Sequence, residues 1–181
     1  MAIESLDALG SLGGKVAAAA AARAFTAGSP DLRAHAYAAA IRAGDMRPIP
    51  AAVRFVETAD PAVHPTGQPQ QWVRIAIGAY ATRAALPALH GLVLHKDPTL
   101  RTEVARALRR LRRPESLKYL VTLLDDAVFE TRYHAVMGLA EIRGKSLEWA
   151  PAMTDPAAVE RAVALWKGWW ASPYAPREGI R

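Results

Sequence analysis

A chain of 181 residues, 51% hydrophobic and 22% charged, is a folded protein with enough apolar matter for one core or a short repeat array. No apolar run approaches the roughly 20 residues a membrane-spanning helix needs, and the lack of cysteine excludes a disulfide framework, a thiolate zinc site and a cysteine nucleophile. The net charge of +6 is concentrated: residues 101–118 hold Arg101, Arg106, Arg109, Arg110, Arg112, Arg113 and Lys118 against only Glu103 and Glu115.

The opening stretch MAIESLDALGSLGGKVAAAAAARAF has the length of a secretion signal, but Glu4, Asp7, Lys15 and Arg23 interrupt it and its apolar part is mostly alanine. It reads as helix. GSLGGK at 10–15 is not a phosphate loop: the spacing is one short, Val16 stands where Ser or Thr would hold magnesium, and no strand precedes it. Its glycines are expected to end the first helix. ALGSLGGKV at 8–16 aligns with GLAEIRGKS at 138–146, so residues 1–27 are read as a partial repeat whose first helix is short or trimmed.

Next comes DLRAHAYAAAIRAGD, where Ala36, Ala39, Ala40 and Ala43 follow Arg33 at offsets of three, six, seven and ten, one face of a helix. A second apolar helix is expected over 49–56. DPAVHPTGQPQQ, residues 60–71, carries three prolines and reads as a loop between hairpins, an insertion more than a binding element. WVRIAIGAYATRA is a looser copy starting at Arg74, with its second helix over 86–94. From Arg101 the pattern returns as Val104, Ala107, Leu108 and Leu111, with a second helix over 117–124. From Arg132 it returns as Ala135, Gly138, Leu139 and Ile142. The expected hairpins are therefore about 30–59, 70–95, 98–124 and 126–153, in a single domain over 1–181. Asp155 before Pro156 signals a last helix over about 156–171. Its stripe of Val159, Val163, Trp166 and Trp170 suits a cap that closes the end of a stack.

Helical hairpins of thirty to forty residues, an arginine early in the first helix, small residues along its inner face, and Pro48, Pro50, Pro87 and Pro114 near second helices together resemble the HEAT repeat family. The nearest flavour is the short bacterial HEAT-like repeat first named from phycobilisome lyases, and the resemblance runs from about residue 3 to residue 153. It implies an all-α fold, a short right-handed α-solenoid in which first helices line the convex side and second helices the concave one. It also implies that Arg33, Arg74, Arg101 and Arg132 tie neighbouring hairpins together.

Chemistry finds little purchase. Val104, Leu108 and Leu111 form the inner stripe of the arginine helix, with Arg106, Arg109, Arg110, Arg113 and Thr102 on the opposite half. That face is either solvated or a sequence-independent phosphate contact, and no aromatic interleaves with it to stack bases. His90 and His95 diverge on a helix. Glu130 and His134 are i,i+4 and could supply two zinc ligands, but zinc wants three or four. His35 and His134 share a position two after the arginine, which suggests a solvent-facing slot. No metal, no cofactor and no catalytic motif is read from the sequence. A HEAT-like alkylpurine DNA glycosylase would need an aromatic cleft beside a carboxylate; Trp149 with Asp155 is the nearest pair, and capping explains the tryptophans better.

The expected function is that of a non-enzymatic, cytoplasmic scaffold or adaptor. It would bind a protein or peptide on the concave face through Arg54, Glu57, His90, Lys118, Tyr119 and Thr122. The alternative is nucleic acid held by Arg106, Arg109, Arg110 and Arg113. A third reading makes the chain one module of a longer array, with an open repeat end that meets another copy or another domain.

Overall fold

The computed structural model of the protein describes residues 2–26, 29–58, 68–145 and 149–176. Among these every regular element is helical, and the chain divides into two compact units, residues 1–88 and 89–181.

In the first unit α1 (Ile3–Leu12) and α2 (Gly14–Ala22) form a hairpin, followed by α3 (Pro30–Arg42), α4 (Ile49–Thr58) and α5 (Gln68–Tyr80). The break between α1 and α2 is at Gly13 and Gly14, whose φ values of +70° and +81° lie in the left-handed region that side chains disfavour. Helix α3 is the centre of this unit: α1 and α2 pack on one side of it, α4 and α5 on the other. The packing is close because the contact residues are small. Leu6, Ala21, Ala36, Ala39 and Ala40 share one buried cluster, and a Cβ at Gly10 would sit 3.1 Å from the Cα of Ala39. Ser29 caps α3 by accepting from the Leu32 amide, ahead of Pro30 at the first turn. The loop expected over 60–71 ends sooner than that, because α5 already begins at Gln68 and Pro69 and Gln70 are buried. Proline at the second helical position loses no intrahelical bond, since the first N–H groups have no partner anyway. Residues 59–67 lie outside the described part.

In the second unit α6 (Leu86–Gly91) leads to α7 (Pro98–Leu111), α8 (Leu117–Leu123), α9 (Phe129–Arg143) and α10 (Pro156–Ala171), of which α6 starts in the first unit's residues. Here α7 and α9 lie side by side, α8 packs on both, and α10 packs on α9 and α8. The described residues between α9 and α10, 144–145 and 149–155, contain no α-helix, and α10 packs against α9. Asp97 caps α7 by accepting from the Thr99 and Leu100 amides, and Asp155 caps α10 by accepting from Ala158.

Gly138 sets how closely α9 can approach. A Cβ there would lie 3.0 Å from a Leu120 methyl on α8 and 3.3 Å from the Cα of Arg109 on α7. Gly138→Val is expected to cost about 2–3 kcal/mol through overpacking. Gly168→Ala on α10, where an added Cβ meets nothing within 4 Å, is expected to gain up to about 1 kcal/mol from helix propensity. Urea denaturation of both variants followed by circular dichroism checks the pair; equal shifts would contradict the packing argument.

Candidate functional site

Two arginines of the second unit hold its turns by one geometry. Arg101 donates through Nη1 to the carbonyls of His95 and Lys96 (2.8 and 3.3 Å) and through Nε and Nη2 to the Asp126 carboxylate (2.5 and 3.0 Å). Arg132 donates through Nη1 to the carbonyls of Asp126 and Ala127 (2.8 and 3.1 Å) and through Nε and Nη2 to Glu160 (3.1 and 2.5 Å). Each guanidinium thus collects the two carbonyls five and six residues before it and a carboxylate from the next segment. Burial by itself would raise Asp126, but the Arg101 hydrogen bond, the Val128 amide and the nearby Arg101 and Arg132 charges bring it below the usual aspartate value. Asp126 has only 3% of its side chain exposed, so the pair is a charged bond inside the fold. In the first unit the Arg33 guanidinium lies 5.5 Å from the Phe55 ring centroid.

The arginine helix is not the bare cationic face that its sequence suggested. Arg106 donates to Glu103 on its own helix (3.2 Å) and to Glu130 on α9 (3.1 Å). Arg109 and Arg112 share the two oxygens of Glu141 at 2.8 and 2.9 Å, and Arg113 is 3.6 Å from Glu115. Arg110 is exposed on α7. Thr102, expected on the outer half with the arginines, is buried and bonds to the Thr131 hydroxyl at 2.7 Å. The reason is geometric: a helix inside a stack has a neighbour beside it as well as a hairpin partner, so it buries a flank that a single-stripe reading assigns to water. Glu103 is buried on that flank, and its burial raises it above the ordinary glutamate value despite Arg106.

The same geometry corrects the histidine slot. His134 is buried between α9 and α7, 3.5 Å from Arg109 and 3.6 Å from Glu130. His35 is only 15% exposed at its side chain, 3.2 Å from Asp7 of α1 and tilted against Trp72. Both face the neighbouring helix and not solvent. Among the described residues no group of three His, Asp or Glu gathers as a metal site, and Glu130 is already engaged by Arg106.

The second-helix residues separate by unit. Arg54 and Glu57 are exposed on α4 of the first unit. His90, Lys118, Tyr119 and Thr122 come together in the second. His90 stacks on Tyr119 with ring centroids 3.7 Å apart and planes 13° from parallel, and its Nε2 lies 3.0 Å from the Ser116 hydroxyl. The Lys118 ammonium is 4.9 Å from the Tyr119 ring. Burial, and then Lys118, holds His90 below the ordinary imidazole value. Thr122 is exposed one turn on, its hydroxyl donating to the Lys118 carbonyl.

At the far end of the unit Trp166 is fully buried and donates its indole N–H to the Trp149 carbonyl (2.9 Å), with Trp149 and Trp169 edge-on to its ring. Trp149, Pro151, Ala158, Arg161, Ala164, Leu165, Gly168 and Trp169 line a groove of about 790 Å³ that the sequence reading did not see. The signal was there as a second apolar stripe on α10. The carboxylate of Asp155 is occupied by its own helix cap.

Residues 64–140 match a family described as HEAT repeats. No curated protein and no solved structure matches the chain. No helix of the described residues is long and apolar enough to cross a membrane.

Arg101→Ala strands a buried carboxylate and two turn carbonyls, and is expected to cost about 2–4 kcal/mol. Arg101→Lys restores less than half of that, because one ammonium cannot span both acceptors; chemical denaturation measures both. The pH dependence follows from His134 and His90. Burial and the charges of Arg106 and Arg109 put the folded value of His134 below its ordinary 6.5, and His90 is lowered too. The unfolded chain therefore takes up protons first as pH falls. The stability these neutral rings contribute is complete above about pH 6.5 and is lost below it. Unfolding free energy should drop between pH 7 and 5.5, and His134→Gln should flatten that slope; an unchanged slope would sink the assignment.

Proposed function

We propose that the chain, whose residues 64–140 match HEAT repeats, is a non-catalytic scaffold that binds a protein or peptide partner through the exposed faces of its second helices. HEAT repeats are commonly protein-interaction scaffolds, which supports this class of function. The observation that carries the reading is the stack of His90 on Tyr119 beside Lys118. It offers a partner a rigid aromatic surface with a cation at its edge. Tyrosine held in one position is a favourable anchor, since little conformational freedom remains to be lost on binding. Ser116 fixes the imidazole from behind, and Thr122 adds a hydroxyl one turn along. Arg54 and Glu57 are the corresponding exposed polar positions of α4 and are read in the same way.

Nucleic acid fits this surface less well. Arg106 and Arg109 are engaged by Glu103, Glu130 and Glu141. A phosphate would have to displace those carboxylates and then lie among them, and their charge repels it.

The test is a peptide selected from a randomised display library on the intact protein. Lys118→Glu with Tyr119→Ala is expected to weaken it by at least about tenfold, or 1.4 kcal/mol, with an unchanged melting curve. Labelled DNA and RNA duplexes should show no binding near physiological salt, with or without Arg106, Arg109, Arg110 and Arg113 changed to Gln. If every selected peptide binds the double variant as well as the wild type, this face is not the binding surface. Duplex binding that the Gln variant loses would move the function to α7.

A further inference from the structure

Helix α10 carries two apolar stripes where packing against one neighbour needs only one. Val159, Ala162, Val163 and Trp166 form the buried stripe. Ala158, Arg161, Leu165, Gly168 and Trp169, at i, i+3, i+7, i+10 and i+11, form a second. This second stripe is the floor of the 790 Å³ groove, and Trp149 and Pro151 are its other wall. Leu165 is 42% exposed there. The volume is in the range of sites that enclose several apolar groups.

Three observations define what would fill it. The lining holds no acidic residue, and Arg161 is the single charge in it. The Arg143 guanidinium lies 5.3 Å from the Trp169 ring centroid and the Lys145 ammonium 5.5 Å from that of Trp149, so each indole carries a cation. The floor is a helix whose backbone bonds are all internal, so it offers no peptide groups to an extended strand. An incoming helix satisfies its own backbone and presents only side chains. The stripe from Ala158 to Gly168 runs about 15 Å, close to three turns, which suits anchors at i, i+3 or i+4, and i+7.

We propose that this groove is a docking site for an acidic amphipathic helix of another protein, with apolar side chains between Trp149 and Trp169 and carboxylates toward Arg161, Arg143 and Lys145. A second copy of this chain is the poorer occupant, because a two-fold contact through the groove brings like cations together. The site is separate from the His90–Tyr119 face, and neither proposal depends on the other.

The experiment uses the full chain and two dye-labelled helical peptides of about 18 residues. Both carry Leu at i, i+3, i+4 and i+7; one is flanked by Glu and the other by Lys. Fluorescence anisotropy should show the Glu peptide binding and the Lys peptide at least about tenfold weaker. Arg161→Glu should lower affinity for the Glu peptide about tenfold. Gly168→Leu should abolish it by filling the groove, with the thermal transition unchanged or higher, since a Cβ at Gly168 has open space around it. Lys118→Glu with Tyr119→Ala should bind the Glu peptide normally. Equal binding of the two peptides, no binding of the Glu peptide, or full binding by Gly168→Leu would overturn the proposal. So would sedimentation showing a wild-type dimer that Gly168→Leu dissociates, which would make the occupant a second copy.

Discussion

The guanidinium of Arg101 reaches backward to the His95 and Lys96 carbonyls and forward to the Asp126 carboxylate, and much of the second unit hangs on that reach. Carbonyls in a turn between helices have no intrahelical donor, and leaving them buried and unpaired is costly. One planar group with five N–H donors can satisfy them and still grip a carboxylate on the following turn. Arg132 repeats the arrangement one hairpin later, on the carbonyls of Asp126 and Ala127 and the carboxylate of Glu160. Asp126 is the link between them: its carboxylate takes Arg101 and its carbonyl takes Arg132. Turn, helix start and neighbour contact are thereby fixed together, and helices as short as α8 are held in register.

Once the turns are pinned, close packing decides what else can vary. Gly138 lets α9 lie against both α7 and α8. In the first unit the alanines of α2 and α3 and Gly10 of α1 do the same work. Small residues make the helices approach, and the approach brings polar flanks together. This is why Thr102 meets Thr131 and why Glu103 is buried at all. It also sets the electrostatics. In the stretch that carries most of the net positive charge, Arg106, Arg109 and Arg112 are paired with Glu130 and Glu141 of α9. Half-buried and exposed pairs of this kind contribute modest stability, and they reduce the field that α7 would otherwise project.

The surfaces left open have different chemistry. The His90–Tyr119–Lys118 group is small, rigid and polar at its edges. The α10 groove is larger and apolar, with cations at its rim. Among the described residues nothing covers the outer flank of α10, so apolar residues there are accessible, and Trp149 and Trp169 have one edge on the core and the other on the groove.

Periodicity in the sequence determined the helical class, the repeated hairpin and the recurrent arginine, because an inner face needs apolar residues every three to four positions whatever lies beyond it. Local caps were equally legible: Asp97 and Asp155 act on amides two or three residues away. The start of α5 at Gln68 was not, since its polar first turn looks like loop. Nor was the fate of the charges, because Arg106, Arg109 and Arg112 meet their carboxylates on α9 24 to 32 residues later. His134 and Thr102 looked solvent-facing for the same reason. A helical wheel identifies the side facing the hairpin partner, but the flank facing the next hairpin exists only after the helices are laid side by side. Tertiary structure alone decided which polar residues are buried, which cations are neutralised and where an apolar groove remains.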